Sequence, residues 1–337
     1  LTEGVYPIVS QEKELINGYW NKSEDVLKVD KPIVIFGDHT KIVKHIDFDF
    51  VKGADGIVTL LPIKEINSKF FAYQLQNIEL RDLGYARHYR LLKENDIVFP
   101  QLGEQKQIVV LLDKAFAAID QAKANISTNI VNAKELFQSK LNDIFSQKGD
   151  GWEEKSLGEV CNFINGGTPK TKIKDYWEGD IAWITPADMG KLHSKYVDKT
   201  RRTITKLGLA KSSAKLFPKN SVILSTSAPI GHLAINKVEM STNQGCRGVV
   251  PKQNISTLFV FYFLSSRVKL LNELGTGTTF KELSSKALAS VKITIPSIEE
   301  QDRVSNNLNL ISEQIEKVEN SYFNKLSDLD KFKKSIL

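Results

Sequence analysis

The chain has 337 residues, 41% of them hydrophobic and 26% charged, with 46 Lys and Arg against 40 Asp and Glu for a net charge of +6. This is an ordinary soluble composition, long enough for more than one domain. Two cysteines, Cys161 and Cys246, exclude a disulfide framework and point to a reduced cytoplasm, and the longest apolar run, Leu258 to Leu264, is too short to span a membrane.

Residues 1–97 form an irregular first block. It carries strand-like runs such as Ile33-Val-Ile-Phe36 and turn signals such as Phe36-Gly-Asp-His39 and Lys52-Gly-Ala-Asp-Gly56. Residues 98–146 read as a long helix. Residues 147–151, Gln-Lys-Gly-Asp-Gly, are a helix stop and linker. Residues 152–293 are a second globular block, and residues 294–337 are a second long helix.

The two helical segments are copies of one another. Val98-Phe99-Pro100 and Thr294-Ile295-Pro296 open them, and an offset of 196 residues then holds without a gap. Apolar positions 108, 112, 115, 119, 122 and 126 step by four and three, as do 304, 308, 311, 315, 318 and 322. That is a heptad seam, the pattern of helices packed as a coiled coil. Each helix, at about 40 residues and 1.5 Å per residue, is roughly 60 Å long, and its natural partner is the other copy. One seam position is polar in both, Asn129 and Lys325. Either it fixes register or the stripe moves one place, to Ile130 and Leu326; the second reading is preferred. Glu104-Gln105 and Glu300-Gln301 fall in the first turns, where a carboxylate suits the helix dipole.

The globular blocks echo each other more weakly. Pro32 to Gly37 answers Ser221 to Thr226, Gly53 to Val58 answers Asn243 to Val250, and Tyr6 to Ser10 answers Trp183 to Pro186. The second block carries a stretch from Trp152 upstream of Trp183, whereas only five residues precede Tyr6. The first block is therefore expected to be incomplete at its N-terminal side.

No catalytic constellation is present in the sequence. There is no Asn-Pro-Pro-Tyr type motif and no Gly-rich cofactor loop after a strand, and Gly166 to Lys172 lacks P-loop spacing. His39, His45, His88, His193 and His232 show no ligand spacing, so neither a metal nor an organic cofactor is expected. Asp38-His39 could be an acid–base pair, but a turn aspartate beside a surface histidine is the better reading. Between Lys191 and Lys219 stand nine basic residues opposed only by Asp198, a stretch suited to a phosphate backbone.

In the second block the residues become recognisable. Trp152-Glu-Glu-Lys-Ser-Leu-Gly-Glu-Val160 is followed by Gly166-Gly-Thr-Pro169, Tyr176-Trp177 and Ile181 to Met189. Leu224 to Gly231, Thr242-Asn-Gln-Gly245 and Pro296-x-x-x-Glu300-Gln301 then follow in order. This series resembles a target recognition domain of the specificity (S) subunits of type I restriction–modification systems. The first block resembles a different recognition-domain type, carrying Phe36-Gly-Asp-His-Thr40, Gly53 to Gly56 and Gly84 to Tyr89.

The resemblance implies an α+β fold: two small β-rich target recognition domains separated by two long helices that form an antiparallel coiled coil with a pseudo-two-fold repeat. It implies a non-catalytic subunit that reads a bipartite, asymmetric site in double-stranded DNA. Such a subunit would dock two DNA-adenine methylation (M) subunits and two restriction (R) subunits in the cytoplasm, away from membranes. The helix pair would act as a ruler that fixes the unread spacer, at about 3.4 Å per base pair. One alternative is a scaffold or decoy that binds M subunits without productive reading. Another is a stand-alone DNA-modifying enzyme, disfavoured because no cofactor or metal motif is found.

Candidate DNA contacts follow from residue type. Thr168, Lys170 and Thr171 supply donors on a loop whose glycines could bring backbone to a phosphate, although the loop could equally be a strand-connecting turn. Gln244 suits adenine and Arg247 suits guanine. In the first block His39, Thr40, Arg87 and His88 are comparable candidates, with Ser10 and Gln11 weaker. Lys191, Lys195, Arg201, Arg202 and Lys206 are expected on phosphates. Tyr176 and Trp177 are expected in the core.

Overall fold

The structure, a computed structural model, describes residues 3–53, 56–147, 149, 151–277 and 281–337. The chain divides into two compact units, Leu1–Asn129 with Ser321–Leu337, and Ile130–Asn320. Each unit holds one β-rich domain and a portion of both long helices, Leu102–Ser146 and Ile298–Ser335.

The second unit is built on a five-stranded sheet in the order Tyr196–Val197, Leu233–Asn236, Val222–Ser225, Cys246–Pro251, Cys161–Asn165. A three-stranded sheet, Arg202–Ile204, Trp177–Ile184 and Met240–Thr242, adjoins it, its last two strands parallel. The apolar run from Leu258 belongs to the helix Thr257–Ser266, in which Phe259 to Leu264 are all buried. A helix apolar all round is a core helix, and this one packs under the sheet. Phe145, from the first long helix, stands edge-on to Phe259 and Phe263 at 5.2 and 5.7 Å. Thr294 and Ile295, which the repeat groups with the second helix, instead end a strand, Lys292–Ile295, paired with Glu153–Ser156.

The first unit repeats this plan in reduced form. Ile33–Gly37 lies between Val43–Ile46 and Ile57–Leu60, both antiparallel to it. Tyr6–Val9 runs parallel to Phe50–Lys52, as Trp177–Ile184 does to Met240–Thr242. Helix Ser68–Asn77 takes the place of Thr257–Ser266, its start capped by the Asn67 side chain, which accepts from the Lys69 and Phe70 amides. Among the described residues no strand flanks Ile57–Leu60 as Cys161–Asn165 flanks Cys246–Pro251.

Within each unit the two long helices run antiparallel. In the first unit the ammonium of Lys123 meets Asp330, and that of Lys333 meets Asp120 at 2.7 Å. In the second unit Lys134 meets Glu319 at 3.4 Å. The seam follows the expected step with four local differences, the first being that Val109 and not Ile108 is buried. Phe116, not Ala115, is the buried residue of its turn, edge-on to Tyr73 at 5.3 Å. Ile130 is buried and Asn129 exposed, so the stripe does move one place. Val318 is 43% exposed, and Glu319 takes the inward position, paired with Lys134.

One residue of each helix start does more than the dipole argument suggests. Gln301, 1% exposed, accepts from the Ser256 amide at 2.9 Å and donates to the Asn254 and Pro296 carbonyls. Gln105, 196 positions earlier and fully buried, accepts from the Asn67 amide at 2.8 Å and donates to the Glu65 and Pro100 carbonyls. The same side chain thus ties each long helix to the start of the core helix beside it.

Candidate nucleic-acid interface

In both units the loops beyond the central strand are held by one backbone arrangement. In the second unit the Thr226 amide donates to the Gly245 carbonyl and the Leu283 amide donates to the Thr226 carbonyl, each at 2.8 Å. In the first unit the Asp38 amide donates to Gly56 and the His88 amide to Asp38, again at 2.8 Å each. Three loops from distant parts of the sequence therefore meet at a clamp repeated in both domains, with different side chains on it. The Gly53 to Gly56 motif feeds this clamp, although Ala54 and Asp55 lie outside the described residues.

In the second domain the Gly166–Thr171 loop is fastened at four points. The Gly167 amide donates to Thr242 at 2.8 Å. The Trp183 and Trp177 indoles donate to the Gly167 and Lys170 carbonyls at 3.0 and 3.3 Å. Thr168 Oγ1 donates to Gln244 Oε1 at 2.7 Å. The glycines serve the protein's own backbone: a Cβ on Gly166 would stand 1.8 Å from the Asn243 carbonyl oxygen, and one on Gly167 2.3 Å from the Ala214 nitrogen. Lys170, Thr171 and Gln244 are exposed. Because Thr168 occupies the Gln244 oxygen, the free end of that side chain is its amide, a donor pair.

Arg247 is placed differently. It is 8% exposed, its Nε donating to Asn165 Oδ1 at 2.9 Å and its Nη1 to the Leu283 carbonyl. It ties the edge strand to the clamp, and its donors point inward. Burial lowers its pKa.

Two arginines of the basic stretch, Arg201 and Arg202, lie beside the loop. The Arg202 guanidinium lies 3.6 Å over the Trp177 ring, which stands edge-on to Trp183 at 5.1 Å. Trp177 and Tyr176 are half-buried, so Trp177 packs on the core and carries a cation as its lid. A cavity of about 550 Å³ opens here, lined by Thr171, Lys174, Trp177, Arg201 and Arg202, with Glu178 on its wall. Arg201 is 75% exposed in its side chain and pairs with Asp188 at 3.2 Å. Lys191 and Lys206 are exposed, and the Lys195 ammonium lies 5.6 Å over the Tyr196 ring.

In the first domain His88 is fully buried. Its Nε2 accepts from the Leu83 amide at 3.1 Å, so Nδ1 carries the proton and donates to the Asp38 carbonyl at 3.0 Å. His88 organises the loop and does not reach its surface. Asp38 is also buried, accepting from the Tyr89 amide at 2.7 Å, which removes it from any acid–base pair with His39. Arg87 is 77% exposed in its side chain, 3.8 Å from Asp38. Thr40 is exposed, with Oγ1 donating to the Gln11 carbonyl at 2.6 Å. His39 has two partners, the weaker candidate Gln11, whose Oε1 accepts from the His39 amide, and Tyr85, which residue type did not single out and on which its ring stacks. Their common signal is loop position, since Gln11 follows a strand and Tyr85 follows Gly84.

Burial raises the Cys161 thiol to about 12 and pushes the Cys246 thiol up as well. Among the described residues no group of His, Cys, Asp and Glu could hold a metal ion, and no helix is long and apolar enough to cross a membrane.

A family model described as the type I restriction modification DNA specificity domain matches residues 149–322, just over half of the chain. The chain belongs to the type I DNA specificity family. The chain is 30% identical over 318 residues to the EcoR124I/EcoR124II specificity subunit of Escherichia coli, covering 88% of this chain and 77% of that protein. It is 36% identical over 186 residues to the MjaIX specificity subunit of Methanocaldococcus jannaschii, covering 54% of this chain but only 43% of that one. Among solved structures, a chain from work on complex assembly and conformational transition of the type I R-M system superposes with a TM-score of 0.76 at 19% identity, over 98% of this chain and 90% of that one. The HsdS subunit of Thermoanaerobacter tengcongensis gives 0.58 at 20% identity, over 90% and 79%. These likenesses bear out the fold read from the repeat: β-rich domains joined by long helices.

Proposed function

We propose that this chain is the DNA-reading subunit of a type I restriction–modification complex. Each β-rich domain reads one half of a bipartite, asymmetric site in double-stranded DNA. Two M subunits methylate adenine at the places so chosen, two R subunits cleave, and the whole acts in the cytoplasm. The observation that carries this reading is the repeated three-loop clamp: one scaffold, present twice, dressed with different polar side chains. A duplicated scaffold suits two half-sites, and divergent side chains suit half-sites that differ.

The roles divide by position. The Gln244 amide, its oxygen held by Thr168, donates to a base edge in this reading. Thr171, Arg201 and Arg202 around the open cavity, together with Lys170, Lys191, Lys195 and Lys206, serve the phosphate backbone. His39, Thr40 and Arg87 form the corresponding surface of the first domain. Arg247 and His88 position the loops that carry the readers. The long helices expose Leu136 and Phe332, 196 residues apart, at 71% and 53%. Exposed apolar side chains at equivalent places in a repeat suit two copies of one partner.

The test is co-purification with M subunits, then mapping of methylated adenines in the host genome. A single bipartite, asymmetric motif is expected; a complex that methylates nothing, or at one half-site only, overturns the reading. Arg201→Ala with Arg202→Ala should weaken binding to every DNA sequence and lower the salt slope by about one for each phosphate no longer neutralised. An unaltered slope removes these two arginines from the DNA backbone interface.

A further inference from the structure

Tyr85 is 87% exposed, yet one face of its ring is not free. It lies flat against His39, the ring centroids 4.8 Å apart and the planes 13° from parallel. The His39 Nδ1–H donates to the Tyr85 carbonyl at 3.0 Å, so ring and backbone are held by one residue. The turn before it is set by Gly84, at φ +65°, whose amide donates to Asp82 at 2.9 Å. His88, three residues on, fixes the loop to the clamp. The result is an aromatic plate of two stacked rings, its outer face turned to solvent.

What surrounds the plate decides what it can hold. Gln11 gives its side-chain oxygen to the His39 amide at 3.2 Å, which leaves its NH₂ as the remaining donor. Arg87, two residues after Tyr85, is exposed and lies 3.8 Å from Asp38, while Lys41 is paired with Asp82 at 3.7 Å. A flat aromatic face with an amide donor and an exposed arginine on the same loops matches a nucleobase with its phosphate. In the second domain Phe280 stands three residues before the clamp residue Leu283, as Tyr85 stands three before His88, although Phe280 lies outside the described residues.

We infer that Tyr85, backed by His39, is a base-stacking residue of the first half-site, with the Gln11 amide as its neighbouring hydrogen-bond donor. The inference rests on the DNA-reading function proposed above. Stacking on an unpaired or splayed base is worth enough to shape specificity without adding a charge.

The experiment uses the chain assembled with its M subunits and a duplex carrying the site found by methylation mapping, with 2-aminopurine placed at successive positions of the first half-site. Tyr85→Ala should weaken binding to the full site roughly 10-fold, leave the salt slope unchanged and abolish the fluorescence change at one position. Tyr85→Phe should behave as the wild type. Unaltered affinity and fluorescence in Tyr85→Ala, or an equal loss on DNA with a scrambled first half-site, overturns the inference. A wild-type complex with no preference for a bipartite site removes the underlying function as well, so the two failures are distinguishable.

Discussion

Gly166→Ala is expected to erase reading by the second domain while leaving the helix pair folded. The added Cβ would stand 1.8 Å from the Asn243 carbonyl oxygen and 2.3 Å from Thr242 Oγ1. The first of these is backbone, so no rotamer change relieves it. The loop must move by more than an ångström, and three fastenings then fail together: Gly167 to Thr242, Trp183 to Gly167, and Thr168 to Gln244. Overpacking of this kind costs about 1–3 kcal/mol of stability. The loss of reading is larger, since Gln244 is released from its partner and each base pair misread costs about 1–3 kcal/mol of discrimination. Specific binding should fall about 100-fold, and methylation mapping should show the second half of the motif relaxed. Gly103→Ala is the control: nothing lies within 4 Å of its Cβ, and it sits in a helix, where alanine is favoured. A Gly166→Ala chain with the wild-type motif and melting curve would show that the loop tolerates the displacement.

The helical repeat was legible because a heptad pattern is a local property, carried by side chains three and four apart. Its fine placement was not. Phe116 is buried because it meets Tyr73 of the first domain, and Glu319 turns inward because it meets Lys134, partners that lie outside the helix's own pattern. The clamp was half legible. The weak echo between Gly53 to Val58 and Asn243 to Val250 marks the loop whose carbonyl, Gly56 or Gly245, accepts the central amide. Residue type then misplaced two candidates for one reason. Histidine and arginine are chosen as readers for their donors, but donors serve equally well inside a protein. His88 and Arg247 spend theirs on carbonyls of the clamp. Their burial comes from partners 50 and 36 residues away, a separation that no local pattern encodes.

Gln301 is the second position of large expected effect. Its side chain is 1% exposed and makes three bonds at once, accepting from Ser256 and donating to Asn254 and Pro296. Gln301→Leu keeps the bulk and removes all three, leaving the Ser256 amide and the Asn254 and Pro296 carbonyls without this partner. An unsatisfied buried group costs about 1–3 kcal/mol, so a loss of about 3 kcal/mol in unfolding free energy is expected. Gln301→Glu separates the two functions of the side chain. Its carboxylate still accepts from Ser256 but cannot donate, and it adds a buried charge, so it should be destabilised by at least as much near neutral pH. Protonation restores a donor, so its deficit relative to wild type should shrink as pH falls through the carboxyl pKa, which desolvation raises above the usual value. Gln105→Leu should produce the same loss in the first unit, because the bonding pattern there is the same. Denaturant melts of the single and double variants test this. Additive losses are expected, since the two residues share no partner. A Gln301→Leu chain as stable as wild type would mean that the long helix is anchored by its apolar seam alone.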